Sequence, residues 1–91
     1  MEPIVVPITD ILDLHTYDPK DLSHLIADYL DACLDKGITS VRIVHGKGRG
    51  VLRQRVRSLL DKHPQVATYE DAPAAAGGWG ATLVTLRKDK D

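Results

Sequence analysis

The chain has 91 residues, of which 43% are hydrophobic and 27% charged, and its formal net charge is −1. This length and composition are typical of one folded domain and exclude a disordered chain. No apolar run approaches the ~20 residues of a membrane-spanning helix, and the amino end lacks the pattern of a secretory signal. A single cysteine, Cys33, excludes an internal disulfide and a cysteine-based zinc site. We therefore expect a monomeric, cytoplasmic protein without a membrane partner.

Charge is distributed unevenly along the chain. Between residues 42 and 63, seven lysines and arginines stand against one acid, Asp61, whereas the rest has five basic and twelve acidic residues. A basic block on an acidic body favours a partner that carries phosphates. A solvated helix face is the alternative interpretation for such a block taken alone.

An apolar arm, residues 1–9, precedes the first predicted strand. From Asp10 onward polar and apolar residues alternate, which is typical of a short strand with one buried face. Asp13 and His15 share one face of this strand, and the neighbouring leucines share the other.

A helix is predicted from Asp18-Pro19 to Lys36-Gly37. Aspartate suits the N-cap, proline the first helical position, and glycine the position after the C-cap. One apolar stripe runs along this helix and consists of Leu22, Leu25, Ile26, Tyr29, Leu30, Cys33 and Leu34.

The second strand is predicted over residues 38–44, and its apolar density indicates burial on both faces. A second helix is predicted over residues 50–63. Its arginines recur every four residues and form a basic ridge along one edge. That ridge comprises Arg49, Arg53 and Arg57.

Residues 65–70 and 81–86 are the third and fourth predicted strands, separated by a loop, and residues 88–91 form a charged tail. The order β-α-β-α-β-β predicts one α/β domain over residues 10–87 with a four-stranded mixed sheet. We expect parallel pairing of the first three strands and an antiparallel last strand. Because only two helices are predicted, one sheet face is expected to be covered and the other partly open.

A glycine-rich run between the second strand and the second helix predicts a phosphate site. Glycines let the backbone approach a ligand closely, and the helix N-terminus that follows favours an anion. The run consists of His45-Gly46-Lys47-Gly48-Arg49-Gly50. It lacks the G-x-x-x-x-G-K-[ST] spacing of a nucleoside triphosphate site and the G-x-G-x-x-G spacing of a dinucleotide site. No nucleotide cofactor is therefore expected.

Three polar side chains follow two neighbouring strands. Asp13 and His15 end the first strand, and His45 ends the second, so parallel pairing would bring them to the edge where α/β sheets bind ligands. A carboxylate can fix the tautomer of an imidazole and raise its basicity, or both can ligate a divalent ion. The alternative is an edge pair that only faces water.

A second glycine cluster precedes the last strand, Gly77-Gly78-Trp79-Gly80. It is equally compatible with a simple turn and with a site where Trp79 offers its flat face to a base or sugar. The sequence leaves both interpretations open.

Three motifs resemble those of the small MutS-related (Smr) domain family. They are Leu12-Asp13-Leu14-His15, His45-Gly46-Lys47-Gly48-x-Gly50-x-Leu52-Arg53 and Gly77-Gly78-x-Gly80-Ala81-Thr82. The resemblance covers nearly the whole chain and implies a two-layer α/β sandwich like the C-terminal domain of a bacterial translation initiation factor. It also implies nucleic-acid binding and, in several members, nicking endonuclease activity on DNA or RNA.

The family's functional residues carry over by motif to Asp13, His15, His45, Gly46, Lys47, Gly48 and Arg53. The family often has glycine after its L-D-L-H motif, whereas this chain has Thr16, whose β-branched side chain narrows the backbone options. The chain contains no mismatch-recognition or ATPase module, so we expect a free-standing member.

The leading hypothesis is a nucleic-acid-binding protein that does not read sequence. Lys47, Arg49 and the amides of the glycine run would hold a phosphate, and Arg53 and Arg57 would follow the strand by charge. Two alternatives remain. One is a non-catalytic module for branched or single-stranded nucleic acid, and the other is an adaptor whose basic ridge meets an acidic protein.

The expected activity is nicking of a phosphodiester bond. His15, oriented by Asp13, would act as a general base on water, or the two would hold Mg²⁺ or Mn²⁺ that activates it. His45 would protonate the leaving oxygen or stabilise charge.

Overall fold

A computed structural model describes residues 9–15, 17–46 and 50–87. The strands are β1 (Ile11–Asp13), β2 (Ser40–Val44), β3 (Val66–Asp71) and β4 (Ala81–Leu86). The α-helices are α1 (Leu22–Asp35) and α2 (Val51–Lys62), and short 3₁₀ turns cover Pro19–Asp21, Ala74–Ala76 and Gly78–Gly80. Several residues of the sequence predictions lie outside the described residues, namely 1–8 of the arm, Thr16, Lys47, Gly48, Arg49 and the tail 88–91.

The four strands form one mixed sheet in the order β1-β2-β4-β3. β1 and β2 are parallel, and β4 is antiparallel to both of its neighbours, β2 and β3. The fold class is therefore confirmed, but the predicted pairing of β3 with a parallel neighbour is wrong. The strand β4 is buried along most of its length, whereas no residue of β3 is fully buried. The more apolar strand therefore lies in the centre of the sheet and the more polar strand at its edge.

Both helices pack against the same face of the sheet. A single core joins the inward side chains of the strands to the apolar stripes of α1 and α2. Fully buried members of this core include Leu14, Ile26, Leu30, Ile43, Val56, Leu60 and Val84. The molecule is a two-layer sandwich, and the helices cover the face of the sheet that carries Leu12 of β1.

The ends of α1 follow the sequence prediction closely. The carboxylate of Asp18 accepts a hydrogen bond from the amide of Lys20, and a 3₁₀ turn leads into the helix at Leu22. Beyond the last turn, Gly37 has φ +78°, the left-handed conformation that favours glycine.

The other face of the sheet is open. It carries a shallow depression of about 380 Å³, lined by residues that include Ile11, Arg42, Glu70 and Leu83. Arg42 and Val44 are only half-buried, so the expectation that β2 is buried on both faces is wrong. The reason is that both helices cover the opposite face. Among the described residues, neither α-helix is long and apolar enough to span a membrane.

Candidate functional site

Asp13 and His15 form a hydrogen-bonded pair where β1 ends. Asp13 Oδ1 accepts from the His15 amide at 3.1 Å and lies 2.7 Å from His15 Nδ1. The side-chain hydrogen bond from His15 lowers the pKa of Asp13, so this carboxyl is ionised near neutral pH. An ionised carboxylate only accepts, hence Nδ1 carries a proton, and in the neutral imidazole Nε2 is the nitrogen with the lone pair. The imidazole side chain is 74% exposed, so a substrate can reach Nε2.

The donor set of this pair does not fit a chelated divalent ion. The nitrogen nearest to Asp13 is the protonated Nδ1 of His15, and a protonated nitrogen cannot ligate a metal ion. Within residues 9–15, 17–46 and 50–87, no group of three or more histidine, cysteine, aspartate or glutamate side chains is placed to hold a metal. The same arrangement suits a carboxylate-oriented general base and also a histidine that ligates a metal through Nε2, so metal dependence stays a prediction.

His45 is enclosed at the end of β2, with only 5% of its surface exposed. Its Nδ1 lies 3.1 Å from the carbonyl oxygen of Gly46, and its Nε2 lies 2.9 Å from the hydroxyl of Thr82. A carbonyl only accepts, so Nδ1 donates and Nε2 accepts from the threonine hydroxyl. Burial lowers the pKa of His45, and the charges of Arg53 and Arg57 act in the same direction.

The expected role of His45 as a proton donor to a leaving oxygen does not fit this geometry. Its imidazole is neutral, and both ring nitrogens are engaged inside the protein. His45 instead braces the loop after β2 against β4. Its partner Thr82 ends the third sequence motif, but its contact with His45 was not predicted, although this polar residue alternates with the apolar positions Val84 and Leu86 of a core strand.

His15 and His45 lie at the same edge of the sheet but on opposite faces. Asp13 pairs with Val44 in the parallel register, and the amide of Leu14 continues the ladder to the Val44 carbonyl. Since side chains alternate along a strand, Leu14 and His45 face the helices, whereas Asp13 and His15 face the open side. The predicted meeting of the two imidazoles at one edge is confirmed, but they do not share one face.

The two described arginines of the basic ridge converge on Asp71. Arg53 binds this carboxylate through Nε and Nη2 at 2.8–3.1 Å, and Arg57 Nη2 lies 2.6 Å from Oδ1. These bonds lower the pKa of Asp71, with Arg53 as the largest contribution. The guanidinium of Arg57 also lies 5.2 Å from the centroid of the Tyr69 ring. Asp71, which sequence reasoning missed, belongs to the same face of β3 as Tyr69 and therefore points toward α2.

The two glycine-containing loops are joined by one carbonyl. The amides of His45 and Gly46 both donate to the Gly80 oxygen, at 3.0 and 2.8 Å. These two amides are therefore not available to a phosphate, contrary to the expectation for Gly46. Gly77 and Gly78 both have positive φ and carry the turns before β4, which agrees with the simpler of the two interpretations for that segment.

Trp79 lies beside the N-terminus of α2. Gly50 caps this helix with φ +78°, without a side-chain hydrogen bond, and a Cβ added there would lie 3.9 Å from the Trp79 ring. The indole remains 44% exposed, and Val51, the first residue of α2, is exposed as well. Gly50, the last residue of the predicted phosphate loop, is therefore close to the predicted stacking residue.

Comparison with known proteins places the chain in a family. The Smr domain model matches residues 12–87. The Endonuclease MutS2 of Latilactobacillus sakei is 45% identical over 76 residues, which is 84% of this chain but 10% of that protein, and the corresponding protein of Halalkalibacterium halodurans is 43% identical over the same share. This chain thus spans about a tenth of the length of these curated relatives.

Two solved structures have the same fold. The Smr domain of Thermus thermophilus MutS2 superimposes with a TM-score of 0.80 at 33% identity, covering 87% of this chain and 99% of that one. YdaL, a stand-alone small MutS-related protein from Escherichia coli, gives a TM-score of 0.82 at 30% identity, covering 90% of this chain and 67% of that one. The chain belongs to the Smr domain family.

Proposed function

We propose that this Smr domain binds nucleic acid and nicks it by hydrolysing a phosphodiester bond, with His15 as the general base. The observation that carries this proposal is the Asp13–His15 hydrogen bond at 2.7 Å beneath an exposed imidazole. Full-length relatives that contain this domain are named endonucleases, which supports the same class of reaction.

In the proposed reaction a water molecule attacks phosphorus. Nε2 of His15 accepts a proton from that water as the new P–O bond forms, and the carboxylate of Asp13 stabilises the resulting imidazolium. The P–O bond to one sugar oxygen breaks, and solvent protonates the leaving oxygen, since His45 is enclosed. His15 then returns its proton to solvent.

Cations around this edge would hold the strand without reading its sequence. Lys47 and Arg49, which lie outside the described residues, add two positive charges between β2 and α2. Arg53 and Arg57 each spend part of their donor capacity on Asp71, so they contribute to binding less than two free arginines would.

One observation favours a second candidate, a binding module without chemistry. The exposed Trp79 ring beside the start of α2 resembles the stacking platforms that hold unpaired bases. This candidate predicts binding of single-stranded or branched nucleic acid with no cleavage.

The test compares the wild type with His15→Ala and with His24→Ala, a control at an exposed histidine of α1. Supercoiled plasmid and structured RNA are incubated with each protein in Mg²⁺, in Mn²⁺ and in chelator. We expect His15→Ala to slow nicking by about 10²- to 10⁴-fold while His24→Ala has no effect. Activity in chelator would agree with a base acting without metal.

Binding is measured in parallel through the fluorescence of Trp79, the only tryptophan of the chain. His15→Ala should bind as the wild type does, and equal loss of binding and nicking would contradict the catalytic role. Binding without nicking by the wild type would favour the second candidate. Absence of binding at ~50 mM salt would favour a protein adaptor instead.

A further inference from the structure

We infer that Arg42 is a phosphate-binding residue of the Asp13–His15 site, on the open face of the sheet. This inference rests on the proposed function, because it assigns a contact to the same substrate. Arg53 and Arg57 point to the helix side of the sheet, where Asp71 already engages them. The open face needs its own cation beside the general base.

Arg42 stands on the same face of the sheet as the catalytic pair. In the register of the sheet it lies opposite Ile11 on β1 and Leu83 on β4, both of which border the open depression. Two residues further along β2, Val44 lies opposite Asp13. Arg42 and Asp13 are therefore diagonal neighbours on adjacent strands.

The guanidinium of Arg42 extends toward the edge where Asp13 and His15 lie. Its Nη1 donates to the carbonyl of Ala76 at 3.3 Å. The next residue, Gly77, packs so closely on Ala81 that an added Cβ would lie 3.1 Å from the alanine Cβ. Ala81 is opposite Val44, which in turn is opposite Asp13. Two strand spacings, roughly 10 Å in all, separate Asp13 from Ala81, so the turn that Arg42 contacts lies at the same level of the sheet as Asp13.

Arg42 has hydrogen-bonding capacity that the protein leaves unused. Its Nη1 donates to a neutral carbonyl, and its Nη2 has no hydrogen bond and its charge no ion pair among the described residues. Its Nε is enclosed, so a phosphate would be met by the outer nitrogens of the guanidinium. A half-buried guanidinium without an anion is unfavourable, and a charged donor binds a phosphate oxygen well. Arg53 and Arg57 show the contrasting case, in which a carboxylate of the protein supplies that anion.

Charge also indicates where a strand would cross this face. Two carboxylates, Asp10 and Glu70, border the depression and would repel phosphates there. A nucleic-acid strand is thus favoured along the edge of the sheet where β1 and β2 end, between His15 and the guanidinium of Arg42, rather than across the depression.

The experiment compares Arg42→Gln and Arg42→Lys with Arg55→Gln, a control that removes the same charge from an exposed position of α2. Binding of a short labelled single-stranded oligonucleotide is followed by anisotropy between ~50 and ~200 mM salt. We expect Arg42→Gln to bind about tenfold more weakly at ~50 mM salt and to lower the slope of log K against log salt by about one. Arg42→Lys should keep the slope, and Arg55→Gln should change affinity less than about twofold.

The alternative role for Arg42 is a structural brace of the Ala74–Ala76 turn. In that case Arg42→Gln lowers the melting temperature but leaves the salt slope at the wild-type value, and this result overturns the inference. If Arg42→Gln does not fold, Arg42→Lys decides, because a phosphate contact predicts a raised KM for nicking with the wild-type salt slope, whereas unchanged kinetics overturn it. A wild type that binds no nucleic acid would overturn the proposed function itself.

Discussion

His15 and His45 end neighbouring parallel strands, yet the protein uses them in opposite ways. His15 is exposed, and within the part of the chain that the structure describes its side chain is hydrogen-bonded to Asp13 alone, through Nδ1. His45 is enclosed, neutral and bonded through both nitrogens. A difference of one position in strand alternation decides which face each side chain takes, and only the face away from the helices leaves an imidazole available for chemistry.

The arginines repeat this contrast. On the helix side, Arg53 and Arg57 share Asp71, so one of their two positive charges is balanced inside the protein. On the open side, Arg42 has one carbonyl partner and no carboxylate partner among the described residues. The helix side therefore supplies its arginines with an anion, whereas the open side does not.

The largest effect is expected when Asp13, which orients His15, loses its charge. Asp13→Asn removes the carboxylate that fixes the His15 tautomer and stabilises the imidazolium, so nicking should fall by about 10²- to 10⁴-fold. Conversion of supercoiled plasmid to the relaxed form measures this rate. Asp28→Asn, at an exposed position of α1, serves as the control. Nicking at the wild-type rate by Asp13→Asn would break the comparison, because the open side would then not be the chemical one.

An intermediate effect is expected when the hydrogen bond between Thr82 and His45 is removed. Thr82→Val keeps the shape of the side chain but leaves Nε2 of the buried His45 without a donor, which should cost about 1–3 kcal/mol of unfolding free energy. In a domain of this size, each kcal/mol lowers the melting temperature by roughly 4–8 °C.

Thermal unfolding followed by circular dichroism gives this value, with Thr85→Val as the control at an exposed position of the same strand. The catalytic rate of folded Thr82→Val should stay near that of the wild type. A variant that is fully stable but unable to nick would assign His45 to the chemistry after all.

The smallest effect on binding is expected when Arg53 and Arg57 lose the carboxylate that they share. Asp71→Asn removes the shared carboxylate, so Arg53 and Arg57 should bind phosphate more strongly at low salt, with a salt slope steeper by less than about one unit. Asp61→Asn changes the net charge equally without touching these arginines and is the matched control. Weaker binding by Asp71→Asn would mean that the carboxylate positions the arginines for the strand rather than competing with it.

The sequence predicted the elements well because their signals are local. The stripe of α1, the cap at Asp18 and the glycine at Gly37 all lie within one helix and its ends. Strand order was less predictable, since β4 enters the centre of the sheet between β3, which precedes it, and β2, which is distant along the chain. A pattern of helices and strands does not specify which partner the last strand chooses.

The candidate site divides in the same way. The Asp13–His15 pair was predictable because the two residues are two positions apart where one strand ends. The partners Thr82 and Asp71 come from other strands, so their contacts depend on a register that the motifs alone do not reveal. Arg42 could not be separated from the other cations of the basic block before its face of the sheet was known.

The carbonyl oxygen of Gly80 accepts two hydrogen bonds and so links the two glycine motifs. Because a single peptide oxygen holds the amides of both His45 and Gly46, a rotation of that peptide group weakens two bonds at once. The segment carrying Trp79 and the segment leaving β2 must therefore open together or stay closed together. A base that settles on the indole would by this linkage also act on His45 and Gly46, where the chain leaves β2.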